Sequence, residues 1–134
     1  MLNNPFESWL APYSVTNRYL FWVALVGSYV AAIVPQDMAP HIGNLSDKST
    51  HFIAFAVLTL LLRLSYQIGI VWTSFLLLFY AIFIEISQYF TPNRSAELLD
   101  VVADVIGIAI GLLLYPLVCK LIFKSSNYKE KPCY

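Results

Sequence analysis

Asp47, Lys48 and His51 stand at the mouth of an apolar run, in "SDKSTHFIAF" (residues 46–55). Asp47 and His51 are four residues apart, so they share one helix face. Glu85 and Gln88, three apart, close a second apolar run and are followed by "YFTPNRS", which carries Arg94. Asp100 and Asp104, four apart, open a third. These residue types suit three kinds of chemistry. Arg94, Lys48 and His51 could hold a phosphate or carboxylate headgroup. His51 and Glu85 form the candidate acid–base pair, since imidazole and carboxyl groups are the side chains most readily tuned for proton transfer. Asp47 with His51, and Asp100 with Asp104, completed by Glu85, offer ligands of the kind taken by zinc, manganese or magnesium. The spacing names neither a metal nor a cofactor. No Ser or Cys nucleophile has a convincing base. Cys119 lies at the far end of its apolar run and Cys133 in the tail, with no zinc spacing and no disulfide framework between them. The ending "KPCY" is not a prenylation box.

Such groups are scarce here. Of 134 residues, 59% are hydrophobic and 12% charged, and the mean hydropathy is +0.68. A soluble domain carries roughly 25% charged residues, and one this small could not hide so much apolar surface. The composition implies a membrane protein of one domain. The formal net charge is zero, which removes any bulk attraction to nucleic acid. Membrane lipids are the expected surroundings.

The elements that must position the polar groups are four apolar spans, each near the ~20 residues that cross a bilayer as a helix. They run approximately over residues 19–34, 50–66, 68–90 and 98–123. The expected fold is therefore all-α and polytopic, with four transmembrane helices over 18–123, an N-terminal segment over 1–17 and a tail over 124–134. In the N-terminal segment Phe6, Trp9, Leu10 and Tyr13 fall on one helical face, the pattern of a short interfacial helix. A signal-peptide reading of the first span lacks a strong charged flank and a clear cleavage site. The turn near "SYQIG" is short, so spans two and three should form an antiparallel hairpin. Arg18, Arg63, Lys120, Lys124, Lys129 and Lys131 belong to the end that carries both termini, and Lys48 and Arg94 to the other, six against two. This bias places both termini in the cytoplasm and the two longer loops, residues 35–49 and 91–97, outside. Arg63 is expected to snorkel to the cytoplasmic headgroups.

With that topology Asp47, Lys48, His51, Glu85, Gln88, Arg94, Asp100 and Asp104 all fall in the outer third of the membrane. Taken singly, Asp47 and Asp100 read as helix N-terminal residues favoured by the macrodipole. Glu85 is different. It lies roughly 7–8 Å inside the end of its span at 1.5 Å per residue, where a lone carboxylate would cost several kcal/mol. It should face the bundle interior and pair with Arg94 or His51. Ala103, Gly107 and Gly111 form a small-residue ladder, suited to packing against a neighbouring span or to a homodimer face.

Read together, "SDKSTHFIAFAVLTLLL", "IEISQYFTPNRSAELLD" and "DVVADVIGIAIG" resemble the VanZ-like family of small membrane proteins. Its pattern is D-K-x-x-H-F, then E-x-x-Q, an Arg in the next loop, and D-x-x-A-N-x-x-G. The matching positions are Asp47, Lys48, His51, Phe52, Glu85, Gln88, Arg94, Asp100, Ala103 and Gly107, with Asp104 in place of the Asn. The resemblance implies a four-helix protein of the bacterial cytoplasmic membrane, and its namesake is associated with low-level resistance to the glycopeptide teicoplanin. The expected function is an outward-facing polar pocket that binds or modifies a lipid-linked or cell-envelope ligand. His51 and Glu85 would be its catalytic groups, with Asp47, Lys48, Gln88, Arg94, Asp100 and Asp104 its binding groups. The alternatives are a metal-dependent membrane enzyme, a small transporter, and a structural or regulatory subunit in which the polar groups only lock the helices together.

Overall fold

The computed structural model describes residues 11–35, 37–38 and 47–124. Four helices follow one another with no strand among the described residues: α1 (Val15–Ile33), α2 (Asp47–Ser65), α3 (Ile70–Tyr89) and α4 (Leu98–Lys124). Of these, α2, α3 and α4 are long and apolar enough to cross a membrane. The first helix is not among them: Thr16, Asn17 and Arg18 fill its first turn and Gly27 and Ser28 interrupt its later half. The expected N-terminal helical face, through Phe6, Trp9 and Leu10, lies outside the described residues.

Local chemistry sets the helix ends. Ser14 caps α1 by accepting a 3.2 Å hydrogen bond from the Asn17 backbone N–H. The same helix stops at Ile33, two residues before Pro35, whose ring disfavours helical backbone in the residue preceding it. Gly69 starts α3, leaving only residues 66–69 to reverse the chain after α2. That turn joins α2 and α3 as the short loop requires.

The most extensive packing, however, is between α2 and α4. Gly107 and Gly111 make it possible. A Cβ on Gly111 would stand 2.5 Å from the Thr59 Cβ and 2.8 Å from the Ala56 carbonyl oxygen, and one on Gly107 would collide with the Phe52 carbonyl oxygen. The ladder is thus used inside the chain, letting two backbones approach as small residues allow in membranes. Phe21, Phe55, Leu58, Leu62, Leu77, Ala81, Ile84 and Ile108 fill the adjoining core. Apolar side chains also cover the outside: Val71, Phe79 and Leu113 are each more than 65% exposed. A surface of this kind is stable only against lipid or another apolar partner.

At one end of the bundle α1 ties down the end of α2. The Asn17 side-chain amide donates to the carbonyl oxygens of Ala11 and Leu64, at 2.9 and 3.4 Å. Arg18 Nε reaches the Ser65 carbonyl oxygen at 3.4 Å. These contacts satisfy carbonyls that every helix leaves open at its C-terminus. Arg63 belongs to the same group, which corrects the expectation that it snorkels. It is only 5% exposed. Its Nη1 donates to the Ile68 carbonyl oxygen in the turn, and its guanidinium lies 4.4 Å from the centre of the Tyr115 ring. A carbonyl and an aromatic face replace the water it loses. Cys119, 0% exposed, packs beside Leu64 and Tyr115.

Replacing Gly111 by Val should force α2 and α4 apart and lower unfolding stability by about 1–3 kcal/mol or more, the usual cost of overpacking. Unfolding of the detergent-purified variant measures it. Wild-type stability would contradict the close approach.

Candidate functional site

The chain order brings the start of α2, the end of α3 and the start of α4 to the other end of the bundle. His51 projects from the first turns of α2 and Asp104 from those of α4. Their close approach follows from the glycine contact one turn further on, between Gly107 and Phe52. His51 Nδ1 and Asp104 Oδ1 are 3.1 Å apart, with side-chain exposures of 10% and 0%. Glu85, on α3, is 8% exposed. One ligand-type atom from each of His51, Glu85 and Asp104 lies within 4.8 Å of the other two.

Each of the two carboxylates divides its oxygens in the same way. Glu85 Oε2 accepts a 3.1 Å hydrogen bond from the Glu97 backbone N–H, while Oε1 is buried without a hydrogen-bond partner. Asp104 Oδ1 meets His51, while Oδ2 is buried without one. Two further oxygens at this end are buried and hydrogen-bond to nothing, Gln88 Oε1 and Asp100 Oδ1. The site is therefore rich in acceptors and poor in donors. Buried polar atoms are nearly always paired, so this accumulation in one place is informative.

The cations expected to balance the acids are engaged elsewhere. Arg94 lies away from the pairing anticipated with Glu85. Its Nε donates to the Val34 carbonyl oxygen at 3.1 Å and its Nη2 to that of Ala31 at 3.2 Å, so it closes the end of α1. Gln88 Nε2 donates to the Ala32 carbonyl oxygen, 3.2 Å away. Lys48 Nζ pairs with Glu97 at 2.8 Å and stands 3.9 Å from Asp100 Oδ1. By hydrogen bond and charge, Lys48 holds the exposed Glu97 carboxyl below its ordinary value. The Asp47 side chain lies outside the described residues. Among the expected site residues, then, the structure gathers His51, Glu85 and Asp104, with Asp100 one turn before Asp104 and Gln88 one turn beyond Glu85. Arg94 braces the neighbouring helix, and Lys48 bridges the loop to the rim.

Sequence reading missed Glu97. Its backbone N–H holds Glu85 and its side chain holds Lys48. Its place directly before the last apolar run was the available sign, since an acid there faces the end of the previous span. A cavity of about 370 Å³, lined by Arg63, Tyr66, Ile68 and Tyr115, opens at the opposite end and has no part in this cluster.

With the geometry in place, comparison with known proteins is direct. A family model for VanZ/LLP1 matches residues 3–120. The chain belongs to the VanZ/LLP1 family. No curated protein and no solved structure matches it. The family match covers α1, α2, α3 and α4 as far as residue 120, and of the residues that carried the resemblance His51, Glu85, Gln88 and Asp100 lie at this end of the bundle. Asp104, where this VanZ-family sequence departs from the pattern, is also the residue that meets His51.

Proposed function

We propose that this VanZ-family protein binds or modifies a lipid-linked or cell-envelope ligand at the polar cluster formed by α2, α3 and α4. The observation that carries the reading is the convergence of His51, Glu85 and Asp104 from three separate helices, buried beside an apolar exterior. The cluster is suited to recognising a polar headgroup whose tail stays in the apolar surroundings. With Asp104 accepting from Nδ1–H, His51 keeps Nε2 as the base, the arrangement in which a carboxylate fixes the imidazole tautomer. Glu85 is the second proton-transfer group. Gln88, Asp100 and Lys48 support the cluster from its rim.

We also place all four helices across the bacterial cytoplasmic membrane, with both termini inside and the cluster facing outward. The six-to-two distribution of Lys and Arg supports this. The apolar faces of α1, where Val23 and Val26 are 68% and 58% exposed, support a fourth span. A C-terminal green fluorescent protein fusion should fluoresce and a C-terminal alkaline phosphatase fusion should be inactive. The reverse pair of results would invert the topology and turn the cluster inward.

The link of the family's namesake to teicoplanin supplies the functional test. Expression in a glycopeptide-sensitive host should raise the teicoplanin concentration needed to stop growth. Glu85→Gln and His51→Gln should abolish the rise while membrane abundance stays at the wild-type level. Retained protection in both variants, or protection lost only in step with protein abundance, would overturn the site and favour a structural role for the cluster.

A further inference from the structure

We infer that His51, Glu85 and Asp104 form a binding site for one divalent transition-metal ion of the manganese–zinc class. Three helices each contribute one residue of ligand type, and the three ligand atoms already lie within 4.8 Å of one another. Around a single ion, with bonds of about 2.0–2.2 Å, donors stand about 3–4 Å apart. Side-chain shifts of about 1–2 Å therefore suffice to close the set.

The second observation is independent of that proximity. Glu85 Oε1 and Asp104 Oδ2 are buried without a hydrogen-bond partner, in side chains that are more than nine-tenths buried. Gln88 Oε1 repeats the pattern one turn beyond Glu85, while Asp100 Oδ1, one turn before Asp104, has Lys48 Nζ 3.9 Å away. Among the described residues no Lys or Arg forms an ion pair with Glu85 or Asp104. Leaving a buried acceptor unmatched costs about 1–3 kcal/mol, more for a charged group, so several in one place call for a positive charge between them. A cation supplies it and uses the oxygen of each acid that the protein leaves over.

The partners already present suit such an ion. His51 Nδ1, 3.1 Å from Asp104 Oδ1, exchanges that contact for the ion, and the Glu97 backbone N–H fixes the other oxygen of Glu85. Outer contacts of this kind aim ligands at a metal. One nitrogen with two carboxylates fits manganese or zinc better than the all-oxygen preference of calcium or magnesium. The inference goes beyond the ligand reading and does not depend on it, since ion binding is measured with no lipid or glycopeptide present.

Tag-free, full-length protein in detergent, stripped with a chelator and reloaded with Mn²⁺ or Zn²⁺, should retain about one ion per chain. His51→Gln, Glu85→Gln and Asp104→Asn should each weaken binding tenfold or more. Pulsed electron paramagnetic resonance of the Mn²⁺ form should show coupling to an imidazole ¹⁴N that disappears in His51→Gln. The wild-type spectrum needs no variant to fold, so a bound Mn²⁺ without ¹⁴N coupling overturns the site by itself. So does retention well below one ion per chain, or binding unchanged in all three variants. Wild-type protein that retains no ion yet still protects against teicoplanin would sink this inference and leave the ligand reading standing.

Discussion

A carboxylate inside an apolar bundle must be answered by something close to it, and this constraint organises the functional end of the molecule. Glu85 and Asp104 are buried beside His51, and Asp100 lies one turn away. A group of this sort is tolerated in a bilayer only where it faces the bundle interior and meets partners there. The meeting depends on how closely α2 and α4 approach. Gly107 and Gly111 permit that approach, because a single Cβ at either position would strike the backbone of α2. Two hydrogen atoms in place of side chains thus decide whether an imidazole on one helix reaches a carboxylate on another.

Polar contacts lie mainly at the two ends of the helices, and they do different work at each. Asn17, Arg18 and Arg63 are spent on carbonyls at the end of α2 and in the following turn. Arg94 and Gln88 are spent on the last carbonyls of α1. These are donors answering the open C-terminal groups of helices. What remains after this pairing is a surplus of acceptors on Glu85, Gln88, Asp100 and Asp104. The guanidinium groups brace the scaffold, and the acids are left to meet a cation, a proton or a ligand. Tyr80 adds a mid-bundle tie, donating to the Leu25 carbonyl oxygen at 2.7 Å and meeting Ser28 at 2.9 Å.

Much of this was legible in the sequence. The long apolar runs gave α2, α3 and α4, and the polar residues interrupting or bounding them gave the cluster. Glu85 stood out because its span had no other acid, and its proximity to His51 followed from placing both at one end. Pairing was harder to read. Arg94 looked like the counter-charge to Glu85 because both occupy the same end, yet the carbonyls of Ala31 and Val34 are nearer claimants that no side-chain pattern announces. Arg63 looked like a snorkelling residue because its charge lies near a span end; the face of Tyr115, far along the chain, holds it instead. The Gly107–Gly111 ladder indicated a close contact but not its partner, since spacing on one helix says nothing about which neighbour fills the groove.

The account stands on the contact between His51 and Asp104 across α2 and α4. A double-mutant cycle on unfolding stability, with His51→Ala, Asp104→Ala and the pair, reads it most directly. Residues in direct contact typically couple by about 0.5–3 kcal/mol. The account predicts coupling in that range, with the pair costing less than the two single changes together. Additivity within about 0.3 kcal/mol would show that the two side chains do not meet, and the cluster would not exist as described.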